Sequence, residues 1–289
     1  MPPIYHEQIM RTSPIAAILA LGAFLAGCQS LNDAMKNAPQ PSARVVGASL
    51  HGLTLERVDL VFDVEVTNPY PASLPLTDLA YTVASSGQTI AEGAVKPSGS
   101  IPAHGSKVLQ IPAGIRFASL TALKGVRPGS VVPYTAELKL AVDAPVLGAV
   151  TLPLSHRGEV PVPAVPDVSM TSFDVSALSL DKVQAIAKMR IKNTNQFDLD
   201  VSKLGLDLAL GGHQVGGTSV ANAGKLAPGQ ETTVAVPLSF SPKEFGIGLI
   251  NLLHGSESGY SVNGVIETDT RFGTLKLPFD RKGNTRISR

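Results

Sequence analysis

The chain repeats itself, because related residues coincide over a long stretch when its sequence is shifted by 125 positions. Asn68 then falls on Asn193 and Gly158 on Gly283, while Tyr134 falls on Tyr260 at an offset of 126, so one residue is gained between them. Further coincidences are Leu79 with Leu204, Gly87 with Gly212, Pro112 with Pro237, Gly148 with Gly273 and Pro153 with Pro278. We therefore predict two copies of one domain, residues 44–163 and 164–289, joined through the proline-rich segment 160–166.

Apolar residues recur at every second position within each copy, the pattern of a strand with one buried face. The clearest runs are 58–66 and its counterpart 183–191, and further strands are expected at 76–83, 89–95, 107–111, 134–142 and 150–154. The 27 glycines and 22 prolines supply many turns, whereas helical spacing occurs only at 115–124 and at 241–253. The sequence thus predicts an all-β protein with about seven strands and one short helix per copy.

The amino-terminal segment 1–27 has the features of a bacterial lipoprotein signal peptide. Residues 15–27 carry no charge and follow Arg11, a stretch too short to span a bilayer but typical of a signal peptide's apolar region. A buried core helix is the alternative. Leu25, Ala26, Gly27 and Cys28 resemble a lipobox, which implies cleavage before Cys28 and a lipid on its thiol. Translation could start at Met1 or at Met10.

Residues 28–43 are polar and predict a flexible tether between the lipid and the first domain. By resemblance to enteric bacterial lipoproteins, Gln29 in place of Asp implies the outer membrane, with the protein facing the periplasm. Several acyl chains on Cys28 would give stable anchoring without a membrane-spanning segment.

A strand that ends in Thr67-Asn68-Pro69-Tyr70, followed by Leu74-Pro75-Leu76, resembles the group 2 late embryogenesis abundant proteins, which carry the WHy domain. The resemblance covers both copies and implies two tandem fibronectin III or immunoglobulin-like β-sandwich domains. It also implies a non-enzymatic role in water stress. The second copy departs from the motif, since Asn193-Thr194-Asn195 lacks the proline, and its loop is expected to have diverged.

Residues that could carry chemistry are sparse. No two of the six histidines lie within four positions of each other, and Cys28, the single cysteine, has no disulfide partner, so we expect neither a metal site nor a cofactor. The segment 47–52 lacks the spacing of a nucleophile elbow, and the glycine run 211–217 lacks the lysine and the following helix of a phosphate loop. The segment 47–52 precedes a predicted strand, the glycine run and the segment around His104 are interpreted as turns, and no catalytic residue is predicted.

Charge is balanced, with 24 Lys and Arg against 23 Asp and Glu, which argues against a nucleic-acid partner. Locally, Asp63 and Glu65 form an acidic strand face, and Lys188, Arg190 and Lys192 form a basic one at the equivalent place. One hypothesis is that these two faces meet. The basic carboxyl end, 281–289, is expected to be a solvated tail, with attraction to anionic lipids as an alternative.

The leading hypothesis from the sequence is a membrane-tethered, non-enzymatic protein that protects the cell envelope against desiccation or another stress. Its partners would be the membrane, through the lipid on Cys28, and client proteins, with no nucleic acid and no small-molecule substrate. The alternative is a periplasmic adaptor or assembly lipoprotein that binds another envelope protein, for example by strand addition. A third class, an envelope hydrolase, lacks a nucleophile, a base and a metal cluster.

Overall fold

The computed structural model describes residues 39–289 except 146, 180 and 246. The signal peptide, the lipobox and Cys28 lie outside the described residues. Most of the described chain is in strands, nearly all of them paired antiparallel, that form two similar units, here called repeat 1 and repeat 2. The prediction of an all-β tandem repeat is confirmed.

Repeat 1 contains eight strands and one helix in two antiparallel sheets. One sheet has the order β1-β2-β6, and the other has the order β4-β3-β7-β8, with the short β5 paired to β3. The elements are β1 Ser42–His51, β2 Arg57–Thr67, β3 Leu74–Ser85, β4 Gln88–Val95, β5 Ser100–Ile101, β6 Ser106–Arg116, α1 Phe117–Thr121, β7 Val131–Ala144 and β8 Gly148–Pro161.

Repeat 2 places its strands in the same relative positions but joins them into one seven-stranded sheet of order β12-β11-β14-β15-β9-β10-β13. The link is a short parallel pairing between β15 and β9. The elements are β9 Asp167–Leu178, β10 Val183–Lys192, β11 Leu199–Leu210, β12 His213–Leu226, β13 Glu231–Phe240, a 3-10 helix Pro242–Phe245, α2 Ile247–His254, β14 Glu257–Thr270 and β15 Gly273–Ser288.

Each repeat has its own apolar core, built by the alternating residues that the sequence indicates. In β2, for example, Leu60, Phe62 and Val64 are buried between the two sheets of repeat 1, while the intervening residues face outwards. Leu53, in the loop between β1 and β2, packs against both cores. The two units are therefore in apolar contact as well as covalently linked.

The structure adds two strands that the sequence analysis missed, β1 and β9, the first of each repeat. Strand β1 begins at Ser42, two residues inside the segment expected to be a tether. A bulge between Val45 and Gly47 interrupts its alternation, and a similar register shift occurs between β9 and β10. Such bulges remove the strict period of two on which the prediction relied.

The helices are shorter than predicted. Ile115 belongs to β6 and is fully buried there, so α1 begins only at Phe117 and has five residues. In repeat 2 a 3-10 turn occupies the predicted helix start, and α2 follows it. None of the helices in the described part of the chain is long and apolar enough to cross a membrane.

The prediction of a solvated basic tail is wrong, because residues 281–288 form the end of β15. Thr285 and Ile287 alternate with the basic residues and are buried. The guanidinium of Arg289 donates two hydrogen bonds to the carbonyl oxygen of Leu253, at 2.9 and 3.3 Å. The tail is thus a strand with one apolar face.

Within one chain the acidic and basic strand faces do not meet each other, since Glu65 and Lys188 each have a partner in their own repeat. Glu65 accepts a hydrogen bond from Arg44 on the neighbouring strand at 2.7 Å. Asp63 accepts a longer one, 3.3 Å, from Gln110. In repeat 2, Lys188 lies 2.8 Å from Asp174. The like-charged rows of one strand are matched by opposite charges on adjacent strands.

Candidate functional site

A buried asparagine holds the loop that follows the second strand of repeat 1. The side chain of Asn68 is only 1% exposed. Its Oδ1 accepts a hydrogen bond from the N–H of Tyr70 at 2.9 Å, which ends the strand in a local turn. Its Nδ2 donates to the carbonyl oxygens of Ala72, Ile101 and Pro102 at 2.8, 3.2 and 3.0 Å. One amide group therefore fastens two distant loops to the end of β2, beside the half-buried Pro69.

Asn193 does the same in repeat 2 and is fully buried. Its Oδ1 accepts from the N–H of Asn195 at 2.9 Å, and its Nδ2 donates to the carbonyl oxygens of Phe197 and Leu226 at 2.8 and 3.0 Å. Thr194 stands where repeat 1 has Pro69. The hydrogen-bond network survives this change, so the loop keeps its internal structure although the proline is absent.

The loop of repeat 2 differs in what it binds, because it docks onto repeat 1. The side chain of Asn195 binds the joining segment: it accepts from the N–H of Ala164 at 2.8 Å and donates to its carbonyl at 3.0 Å. The N–H of Gln196 donates to the carbonyl of Gly129 at 2.7 Å, and the side-chain oxygen of Gln196 accepts from the N–H of Val131 at 3.0 Å. Thus the position at which the motif departs from the pattern is an inter-repeat contact.

The turn between β14 and β15 provides a second contact between the repeats. The guanidinium of Arg271 donates to the carboxylate of Glu159 at 2.9 Å and lies 4.5 Å from the centre of the Phe272 ring. Phe272 in turn meets Phe197 edge to face, with the ring centres 5.5 Å apart. The hairpin turn of repeat 2 therefore rests on β8 of repeat 1.

Next to this turn, a groove of about 440 Å³ runs between β1 and β8 of repeat 1, here called the β1–β8 groove. Phe272 and Arg271 stand at its edge. The residues that line it from repeat 1 are Ala48, Ser49 and Leu50 on β1, Leu60 on β2, Tyr134 on β7, and His156, Gly158 and Glu159 on β8. Its lining is therefore mixed, with aliphatic and aromatic side chains beside polar ones.

The rings of Tyr134 and His156 line the β1–β8 groove, and both contact the ring of Phe62, which is fully buried. The hydroxyl of Tyr134 lies 3.2 Å from Nδ1 of His156, and the ring centre of His156 lies 5.7 Å from that of Phe62. Burial raises the pKa of Tyr134 to about 12 and lowers the pKa of His156 below its usual value. Both side chains are therefore neutral near pH 7.

The sequence analysis noticed Tyr134 and Gly158 only as repeat markers and missed the groove. The tyrosine and the glycine recur together in both repeats because they face each other across neighbouring strands. Tyr134 lies directly opposite Gly158 in the β7–β8 ladder, and Tyr260 lies opposite Gly283 in the β14–β15 ladder. In both pairs the aromatic ring covers the glycine of the neighbouring strand.

The predicted turn residues lie in turns. His104 adopts a left-handed backbone conformation, φ 50°, in the turn after β5, and Gly211 and Gly212 form the turn between β11 and β12. The segment 47–52 belongs mainly to β1 and leads to no helix. The two turn interpretations are confirmed, whereas the strand that contains residues 47–51 was not predicted.

The arrangement offers little for catalysis. Oγ of Ser49 lies 3.1 Å from Nε2 of His51, but both residues are exposed. Asp59, which faces His51 in the ladder, is bound by the guanidinium of Arg57 and does not orient the imidazole. The described ranges contain no group of three or more His, Cys, Asp or Glu side chains placed to hold a metal ion.

Comparisons with known proteins match each repeat separately. The family described as "Late embryogenesis abundant protein" matches residues 63–158 and again residues 188–283. The late embryogenesis abundant protein Lea14-A of Gossypium hirsutum is 32% identical over 137 residues, 47% of this chain and 91% of that protein. The desiccation protectant protein Lea14 homolog of Glycine max is 30% identical over 137 residues, 47% of this chain and 90% of that protein. A solution structure of an Arabidopsis thaliana protein is 31% identical, covers 45% of this chain and 86% of its own, and gives a TM-score of 0.37.

Proposed function

Because the chain belongs to the late embryogenesis abundant protein family and carries that family's domain twice, we propose that it protects the cell envelope against desiccation as a lipid-anchored, non-enzymatic protein. The observation that carries the proposal is the match of both repeats to this family, together with relatives that are named desiccation protectants. Each match involves 137 residues of this chain and about nine tenths of the relative. This indicates that one repeat corresponds to a whole relative.

The proposed anchor is a lipid on the thiol of Cys28, attached before residues 1–27 are removed. The lipobox resemblance of Leu25, Ala26, Gly27 and Cys28 supports it, and Gln29 supports the outer membrane as the location, with the repeats facing the periplasm. Between Cys28 and the start of β1 at Ser42 lie only 13 residues. An extended linker of that length spans at most about 45 Å, so the repeats would stay close to the membrane surface.

A protective role without catalysis fits the side chains of the described residues. The Ser49–His51 pair has no acid to orient it, and the buried Tyr134 and His156 are both neutral near pH 7. Catalytic acids and bases need pKa values near the working pH, and both of these groups are shifted away from it. We therefore assign the two rings to packing and recognition.

Survival after drying tests the proposal. A strain that lacks the gene should yield fewer survivors than its parent, and the wild-type gene should restore survival. A gene with Cys28→Ser should produce a folded protein that no longer fractionates with membranes and that restores survival less well, because the protein is no longer concentrated at the envelope. Equal survival of parent and deletion strain would refute the protective role, and membrane fractionation of the Cys28→Ser protein would refute the anchor.

The second candidate function is that of an adaptor that binds one envelope protein. The open β1–β8 groove favours it, since a strand edge can accept a segment of a partner. Crosslinking in cells followed by purification separates the two functions. One dominant partner would favour an adaptor, whereas many partners in low yield would favour general protection.

A further inference from the structure

The same end of the fold has a different surface in each repeat. In repeat 2 this end rests on repeat 1 through Gln196 and Arg271, and it encloses a polar cavity of about 520 Å³. In repeat 1 the equivalent end lies away from that junction. Strand β7 begins at the junction, where Val131 binds Gln196, and ends at Ala144, about 40 Å away at 3.3 Å per residue.

Three turns form the far end of repeat 1, and none of them contains Asp, Glu, Lys or Arg. They are the loops 69–73 and 102–105 and the β7–β8 turn 145–147, with the sequences Pro-Tyr-Pro-Ala-Ser, Pro-Ala-His-Gly and Pro-Val-Leu. The side chain of Asn68 joins the first two loops by hydrogen bonds to Ala72 and Pro102. The two loops, together with Pro145 and Leu147, are here called the repeat-1 cap.

The β7–β8 turn lies beside the loop 69–73, as the second repeat indicates. There the rings of Phe197 and Phe272 are in contact, with their centres 5.5 Å apart. The offset of 125 places Ala72 and Leu147 at these two positions. Leu147 packs partly against the core of repeat 1, whereas Ala72 is exposed. The cap is therefore one continuous surface of small and apolar residues.

The cap lacks the groups with which repeat 2 binds a protein surface. Pro71 stands where repeat 2 has Gln196, whose side-chain oxygen and backbone N–H both bond to repeat 1. A proline offers neither group. The charged residues beside Gln196 have uncharged counterparts at the offset of 125, which are Ser73 for Asp198, Pro75 for Asp200 and Ser100 for Lys225. Asp269 alone among the acids of that cavity keeps a charged counterpart, Asp143, at the offset of 126.

The chain enters repeat 1 beside the cap. Ser42, the first residue of β1, pairs with Thr67, which directly precedes Asn68. Pro41 is buried, so the chain is already held against the repeat before β1 begins. Only 13 residues separate Ser42 from Cys28. With Cys28 anchored in a membrane, the cap is thus the part of the fold that the linker holds nearest to the lipid.

The margin of the cap is slightly basic. Lys96 precedes β5, and Lys107 lies opposite Val66 near the end of β2; both lysines are exposed. Glu65 is neutralised by Arg44, and Asp143 on β7 supplies one negative charge. Lysines at this place would face the anionic headgroups of a nearby bilayer and be attracted to them.

We propose that the repeat-1 cap contacts the surface of the bilayer in which the chain is anchored, with its prolines and alanines among the headgroups and the two lysines at anionic lipids. A surface without charges gives up little hydration when it enters this region. The cap is small, so the contact depends on the high local concentration that the anchor provides. The proposal rests on the proposed function for the anchor at Cys28.

A tryptophan in the cap tests this contact, because the chain has no tryptophan and only one cysteine. The processed chain 28–289, which keeps every described element, is coupled through Cys28 to a maleimide lipid in vesicles of phosphatidylethanolamine and phosphatidylglycerol. With Ala72→Trp, we expect the emission to shift to shorter wavelength on coupling and to be quenched by brominated lipid. The matched reporter is Ala177→Trp, at an exposed alanine near the end of β9, and its emission should not change.

Added charge tests the same surface. In the chain with Ala72→Trp, the pair Pro71→Asp and Ala103→Asp should lower the quenching by brominated lipid at least about fivefold, because two negative charges would face anionic headgroups. The matched pair is Ala177→Asp and Ala235→Asp, two exposed alanines of repeat 2 that give the same net charge, and it should leave the quenching unchanged. Thermal unfolding checks that all variants fold, and the two tryptophan reporters test the cap without added charge.

Equal emission of the two reporters on vesicles, or equal quenching with the two aspartate pairs, would overturn the proposal. An emission shift of the Ala72→Trp chain that appears without lipid as the protein concentration rises would assign the cap to a second copy and would also overturn it. The anchor in this assay is chemical and nothing is dried, so a negative result leaves the survival and fractionation experiments intact. Conversely, normal survival of the deletion strain would remove the protective role and leave the contact of the cap with lipid in place.

Discussion

At the scale of single residues, the two buried asparagines account for the strongest part of the sequence motif. Each accepts a hydrogen bond from the residue two positions on and donates to carbonyl groups of a loop about 30 positions away. An amide combines an acceptor oxygen with two N–H donors, whereas a hydroxyl has one donor and a carboxylate has none. Asparagine at positions 68 and 193 is therefore explained by its hydrogen bonds in the protein interior and not by the binding of a ligand.

Asn68→Ala should lower the free energy of unfolding of repeat 1 by about 3 kcal/mol, because it leaves buried carbonyl and N–H groups without partners. Urea unfolding measures this change. Asn251→Ala on the exposed face of α2 is the matched control and should shift stability by no more than about 0.5 kcal/mol. Equal stability of the two variants would contradict the structural role assigned to Asn68.

Only half of this role could be predicted from the sequence. The bond from Asn68 to Tyr70 is local, and the tendency of asparagine to bond two residues on is a general property. The bonds to Ile101 and Pro102 depend on how the loops fold over the end of β2, and no pattern in the sequence specifies that. The inter-repeat bonds of Gln196 to Gly129 and Val131 were missed for the same reason.

At the scale of strands, the tyrosine–glycine pairs explain why the last two strands of each repeat are alike. A methyl group added to Gly158 would lie 2.7 Å from the hydroxyl of Tyr134, and one added to Gly283 would lie 3.0 Å from the Tyr260 ring. Each glycine thus leaves room for a ring that packs flat across the neighbouring strand.

Gly158→Ala should push Tyr134 out of its place and expose its hydroxyl. Burial raises the pKa of Tyr134 to about 12, so the folded state is stabilised below pH 10, and this stabilisation is lost as the pH rises from 10 through 12. In the variant the pKa should fall towards 10, which ultraviolet absorbance during alkaline titration measures.

Tyr134→Phe identifies the absorbance change that belongs to this tyrosine. Gly205→Ala is the control, since an added methyl group there has its nearest neighbour at 3.9 Å. A late-titrating tyrosine that persists in Gly158→Ala would show that the ring does not depend on the glycine.

The sequence predicts strands well where one face is buried and the alternation is unbroken, as in β2 and β10. It failed for β1, where a bulge shifts the register and no residue is fully buried, and for the end of β15, where charge concealed the alternation of Thr285 and Ile287. The pairing of β15 with β9 was also beyond prediction, since parallel neighbours distant in sequence leave no local pattern.

At the scale of the whole molecule, the repeats are coupled by a small set of specific contacts around Gly129. This residue has φ +93°, and a methyl group added to it would lie 2.6 Å from the carbonyl oxygen of Thr194. Its carbonyl also accepts the N–H of Gln196. A residue with a side chain here is strained in repeat 1 and collides with repeat 2.

Gly129→Ala should therefore uncouple the repeats, so that the single unfolding transition expected of the wild type separates into two in differential scanning calorimetry. Gly125→Ala is the matched control, because Gly125 has φ +85° but open space around it. It should lower the melting temperature through backbone strain alone and keep one transition. Two transitions in both variants, or one in both, would refute the coupling through Gly129.

The prolines at 161 and 163 direct the chain out of repeat 1 into repeat 2 and, in doing so, leave the first unit without its closing strand. Duplication by this route has a geometric rule: every unit that is followed by another gives up its final pairing, and only the last one keeps it. An array of three units connected in the same way would expose two such clefts, and one of four would expose three. Lengthening the tandem by whole units in this way would therefore add one unpaired pair of edge strands per unit, without altering a single residue inside a unit.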